Sequence, residues 1–248
     1  MARTKTNRSD MIFIVIFVFL IGFISGVTFA PQNQIQYSQP DIHEERVVSI
    51  PLPAVDNEGN GVIGTLYTTV KPGTGKILLD TSKVLNYPDT QLSGRTAAKA
   101  AGNYAKINLS GIDIIYTIKV NASIIEGPSA GSSMAISVLL AINNRTVDGI
   151  AMTGTINPDG TIGNVGAVLE KARMAKLNGA RLFLVPKGQS TTDETSRQKV
   201  CSMTGSVEVC KINYESQKID IGAYLNMTVR EVGNIGETYA YFTDNATF

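Results

Sequence analysis

Tryptophan is absent from the 248 residues, and histidine occurs once, at His43. Aromatic residues make up 7% and the formal net charge is +1. Without a basic face, an arginine-rich run or rings for bases to stack on, nucleic acid is excluded as a partner. A single histidine also argues against a serine–histidine–aspartate arrangement within one chain, because His43 stands far from any site-like motif. Cysteine is nearly as scarce, with Cys201 and Cys210 alone. Their spacing is no zinc signature and no histidine cluster completes one, so neither metal nor other cofactor is expected. They bracket CSMTGSVEVC, a segment suited to a hairpin. In an oxidising compartment they can pair; two unrelated thiols are the alternative.

What is present is a globular composition, 43% hydrophobic and 17% charged, preceded by an uncharged run. From Met11 to Ala30 the chain reads MIFIVIFVFLIGFISGVTFA. At about 1.5 Å per residue this run covers roughly the 30 Å of a bilayer's hydrocarbon core. Arg3, Lys5 and Arg8 precede it, and Asp41, Glu44 and Glu45 follow. The positive-inside rule then makes 1–10 a cytoplasmic N-terminus, 11–30 a transmembrane anchor, and the rest extracytoplasmic. A cleaved signal peptide ending at Thr28-Phe29-Ala30, with a secreted domain, is the other reading. Sequons at Asn108, Asn121, Asn144, Asn226 and Asn245 agree with export without requiring it.

Residues 31–46 are polar and suit a linker, 47–242 a folded domain, and 243–248 a tail. Val47–Leu52 and Gly61–Tyr67 read as strands around an Asp56-Asn57-Glu58-Gly59 turn. A further strand is expected at Lys76–Asp80, an alanine-rich helix near Ser93–Ala101, and a half-buried strand at Ile112–Val120. Ala130–Ile142 reads as a helix, Asp148–Thr155 as a strand, and Gly166–Asn178 as a helix stopped by Gly179. Arg181–Pro186 is a core strand. Beyond Ser190 the pattern is hard to place, with Val229–Phe242 returning as a strand or a helix. Interleaved strands and helices predict one α+β or α/β domain.

The chemistry concentrates at Gly127-Pro128-Ser129-Ala130-Gly131. A serine between a tight turn and a helix start has unpaired N–H groups and partial positive charge beside it, as an acyl-transfer oxyanion requires. The same residues also serve as an ordinary turn and N-cap. A nucleophilic serine needs a base, and a lysine serves if burial populates its neutral amine. Lys171 is the candidate, on a helix whose Val168, Leu169, Ala172 and Ala175 can form an apolar wall. A solvated helix lysine is the plain alternative.

From about Val48 to Gly188 the chain resembles the proteolytic domain of Lon-type (S16) proteases. The resemblance is carried by the Ser129 motif, Ala151-Met152-Thr153-Gly154-Thr155-Ile156, and Gly163 to Lys171. It continues through Ala175, Gly179 and Leu184-Val185-Pro186-Lys187. Gly64-Thr65-Leu66 through Gly73-Thr74-Gly75-Lys76 fits the family's opening strands. The resemblance implies an α+β fold of the ribosomal S5 domain 2-like kind, with Ser129 as nucleophile, Lys171 as general base and Thr153 holding the amine. Glu126 stands where the family usually has aspartate. Protein or peptide substrates and a ring of six protomers are implied too. Lys71–Ile77 has the look of a phosphate loop, but Val70 replaces its first glycine and Ile77 its Ser or Thr. With the N-terminal run, the chain looks like the membrane-anchored, ATPase-less Lon-like proteases of archaea, cutting unfolded or flexible proteins without ATP. A catalytically silent peptide-binding or surface structural protein is the alternative.

Overall fold

Two units divide the chain, Met1–Gln36 and Tyr37–Phe248. The computed structural model describes residues 8–28, 36–80, 85–86, 88–120, 124–125, 127–205 and 207–243. In the first unit, α1 (Arg8–Thr28) is a 21-residue helix. Its side chains are described without interruption from Met11 to Phe23, all exposed. Among the described residues no helix is long and apolar enough to cross a membrane. The expected span from Met11 to Ala30 is therefore unsupported, and its last residues fall outside those described.

The second unit starts earlier than composition suggests. Tyr37 to Glu45 were expected as linker, yet Ser38 bridges to Ile107 and Ile42 is buried. The Arg46 guanidinium donates to the carbonyls of Asp41 and Ile142 at 2.8 and 2.6 Å. Ile142 ends a helix, so this cation meets one of the carbonyls that have no intrahelical partner.

Alternation of buried and more exposed residues runs through much of the first sheet. β1 (Arg46–Val55) and β2 (Gly61–Pro72) pair antiparallel around a turn closed by the Asp56 carboxylate, which accepts from the N–H groups of Glu58 and Asn60. β3 (Ile77–Asp80) and the two-residue β4 (Leu85–Asn86) follow, then α2 (Pro88–Ala105) and β5 (Ile112–Val120). The sheet order is β1-β2-β5-β3, with β3 parallel to β5. Ile112, Ile114, Tyr116 and Ile118 all point inward, as the period of two requires. Burying each such side chain contributes roughly 1.5–3 kcal/mol.

After β6 (Ile124–Ile125), parallel to β4, comes α3 (Gly131–Ile142), every residue of which is buried. Such a helix crosses a core rather than covering one. Among its serines, Ser137 Oγ lies 2.6 Å from Thr68 Oγ1 on β2 and Ser133 Oγ donates to Met152 O at 3.4 Å, whereas the buried Ser132 Oγ has no partner among the described residues. β7 (Ile150–Met152), the short ladder β8 (Thr155–Ile156) with β9 (Ile162–Gly163), α4 (Val168–Leu177) and β10 (Leu182–Pro186) follow. β11 (Thr191–Thr204) and β12 (Val207–Asp220) form a long hairpin, and α5 (Ile221–Leu225), β13 (Thr228–Val232) and α6 (Ile235–Thr243) complete the chain.

The second sheet is parallel, ordered β13-β10-β7. All five residues of β10 are buried, as an unbroken apolar run in a parallel sheet predicts. The architecture is mixed α/β.

Candidate functional site

Gly127 sits at φ 89° and ψ 165°, a conformation that glycine adopts and a residue with a Cβ resists. Pro128 then opens a 3₁₀ turn, Pro128–Ala130, that runs directly into α3. Proline suits a first helical position, because its missing N–H would have had no partner there. Ser129 is therefore presented half-buried at a helix start, with Ala130 buried behind it.

Two bonds lock that turn to the end of β7. Gly154 N donates to Ser129 O at 3.1 Å, and Ser132 N donates to Gly154 O at 3.0 Å. Thr153 N donates to Leu184 O on β10 at 3.1 Å, and Thr153 Oγ1 makes a long 3.5 Å contact to Ser129 O. This is why the expected strand Asp148–Thr155 is broken: β7 stops at Met152 so that Thr153 and Gly154 can hold the serine turn. A Cβ at Gly131 would stand 2.8 Å from Ile156 Cγ2 and 3.1 Å from Ile156 N. Gly131→Ala is accordingly expected to cost about 1–3 kcal/mol and to depress cleavage by shifting the serine turn. Urea denaturation alongside a peptide assay checks it.

Lys171 is carried on α4. Ala167, its N-cap, is left-handed at φ 54° and ψ 42°, a strained state for alanine, so the helix starts at Val168 rather than Gly166. The inward face of α4 is Val168, Leu169, Lys171, Ala172 and Ala175. Those apolar residues share a cluster with Ala151 on β7 and with Phe183 and Val185 on β10. Lys171 itself is 4% exposed. Burial pushes its amine down from 10.5 to about 8, because water no longer stabilises the charge. Among the described residues Lys171 Nζ has neither a carboxylate partner nor a hydrogen bond to Ser129 Oγ.

The structure thus joins Ser129 directly to Thr153 and Gly154, and the apolar face of the Lys171 helix shares a buried cluster with Ala151, two residues before Thr153. Glu126 lies outside the described residues. His43 is paired with Asp41 at 2.8 Å on the surface. Cys201 and Cys210 are joined by a disulfide across β11 and β12.

Gln189 was not singled out from sequence. Its side chain grips Val165 at both backbone atoms, Nε2 donating to O at 2.7 Å and Oε1 accepting from N at 3.0 Å. It fixes the loop before α4. No periodicity marks such a residue; its only signal is a position just past the Val185-Pro186-Lys187 block.

Residues 98–213 match the Lon protease (S16) C-terminal proteolytic domain family. That stretch contains Ser129, Thr153 and Lys171. The chain is 40% identical over 63 residues to Lon protease 2 of Bacillus subtilis (strain 168), covering 25% of this chain and 11% of that protein. It is 46% identical over 63 residues to Lon protease of Clostridioides difficile (strain 630), covering 25% and 8%. It is 30% identical over 158 residues to Lon protease of Mycoplasma pneumoniae (strain ATCC 29342 / M129 / Subtype 1), covering 56% and 20%. The matched regions thus span only a small share of these relatives' own length.

Proposed function

We propose that this chain, residues 98–213 of which match the Lon protease (S16) C-terminal proteolytic domain family, is a serine-type endopeptidase that hydrolyses peptide bonds through an acyl-enzyme on Ser129. Neutral Lys171 takes the hydroxyl proton as Ser129 attacks the scissile carbonyl. The oxyanion forms beside the N–H groups of the turn that opens α3. Protonated Lys171 returns the proton to the leaving amine, and water repeats the sequence to release the acid. Thr153 orients the amine. The observation that carries this reading is a lysine buried beside alanines of its own helix, with no carboxylate partner among the described residues and its amine pushed down to about 8.

The substrates proposed are unfolded or flexible proteins, cut without ATP. Lys71–Ile77 supports the second point. The N–H groups of Thr74 and Lys76, which a phosphate would need, already bond the Asp113 carboxylate at 2.8 and 2.9 Å. A serine-reactive phosphonate is expected to label Ser129 and to stop casein cleavage in step. Cleavage persisting after complete labelling would refute the assignment.

Anchoring by Met11–Ala30, with the domain on the extracytoplasmic side, is the proposed location. The charge flanking that run and the Cys201–Cys210 disulfide support it. Alkaline carbonate is then expected to leave the protein in the membrane pellet, with the domain open to added protease only from outside. Release into the supernatant refutes anchoring.

A further inference from the structure

The hairpin of β11 and β12 is poorly covered by its own chain. Each strand has 14 residues, and the two form a sheet of their own with no third strand beside either among the described residues. An isolated two-stranded ribbon is marginal in water, and each of its edges is a row of pairing groups. Val207, Val209, Ile212 and Tyr214 on β12 are 63%, 52%, 40% and 68% exposed. The disulfide pins the outer part of the ribbon, where Cys201 faces Cys210.

The charges on β12 say what covers it. Glu208, Lys211, Glu215 and Lys218 are all exposed, and none forms an ion pair among the described residues. They are symmetric about Asn213 with opposite signs. Let a second β12 lie antiparallel to the first, with a two-fold axis at Asn213. Lys211 then faces Glu215 of the second copy, Glu208 faces its Lys218, and Ile212 faces its Tyr214, each pair on one side of the sheet. On β11 no axis does this: any that pairs one of Asp193 and Glu194 with a cation leaves the other two charges unmatched. A peptide of arbitrary sequence has no use for such a pattern. We infer that β12 is the docking edge for a second copy of this chain, joining two hairpins into a four-stranded sheet through an isologous contact.

Sedimentation velocity of the full chain in detergent micelles tests this. K211E alone sets a carboxylate against Glu215 of the other copy at both symmetric positions, and E215K sets lysine against lysine. Each is expected to weaken self-association by about tenfold or more, with an unchanged thermal midpoint. Mixing the two variants restores unlike pairs, so the mixture associates like the wild type, and so does the double variant K211E/E215K. Asn213→Cys is expected to yield a disulfide-linked dimer on mild oxidation. Equal association of all variants would place the contact elsewhere, on α1 or another face, and overturn the inference. Failure of the mixture to recover, or a wild type that stays monomeric, overturns it too.

Discussion

Lys171→Met is expected to stabilise the domain at pH 7 while abolishing peptide cleavage. Methionine fills the space of the lysine side chain without a charge to desolvate. The folded amine titrates at about 8 against an ordinary 10.5. Below about 8 both states hold the proton, and the folded state bears the whole cost of a charged, unpaired amine, on the order of 3 kcal/mol. Between about 8 and 10.5 the unfolded chain keeps a proton that the folded chain has shed, so stability of the wild type rises with pH across that window. The advantage of the methionine variant should therefore be largest near pH 6–7 and vanish above about 10.5. Urea midpoints at several pH values measure it. A variant no more stable than the wild type at neutral pH would mean that the amine is hydrated or paired. Loss of cleavage with a gain in stability is what a functional group held at a cost predicts, since a merely structural lysine would lose both or neither.

Ser129→Ala is expected to lower kcat by four orders of magnitude or more, leaving KM and the melting midpoint nearly unchanged. Removing a nucleophile from a unit of cooperating groups forfeits almost all covalent catalysis, while binding and oxyanion contacts remain. The turn itself should survive, because the two bonds that tie it to Gly154, one accepted by Ser129 O and one donated by Ser132 N, run through the backbone. Full activity in this variant would move the nucleophile elsewhere. The double variant Ser129→Ala/Lys171→Met is expected to be no slower than either single one.

Much of this was legible because period and burial agree. In β5 the alternation from Ile112 to Ile118 is unaltered in the structure, and the apolar wall expected around Lys171 is the buried face of α4. What failed to show were features made by long-range bonds. The break after Met152 exists because Gly154 and Thr153 bond the serine turn and β10, partners distant in sequence. The docking of Ile42 and Arg46 is of the same kind, invisible in a polar composition. Around Gly233 the signal was present but unused: Asn234 Oδ1 accepts from Glu237 N, and the Glu237 carboxylate accepts from Gly233 N. That is a helix-start signature, and it separates β13 from α6 within the ambiguous stretch Val229–Phe242. The hairpin was foreseeable at its cysteines but not in its length, since strands exposed on both faces carry no apolar stripe.

The account depends on a neutral amine at position 171 activating the hydroxyl at 129. The rate at which a serine-reactive phosphonate modifies Ser129, followed by mass spectrometry from pH 6 to 10 in wild type and Lys171→Met, tests that most directly. The predicted result is a rate that climbs with a midpoint near 8 in the wild type and is slow and flat in the variant. Equal rates in the two proteins, or a wild-type rate indifferent to pH, would contradict it.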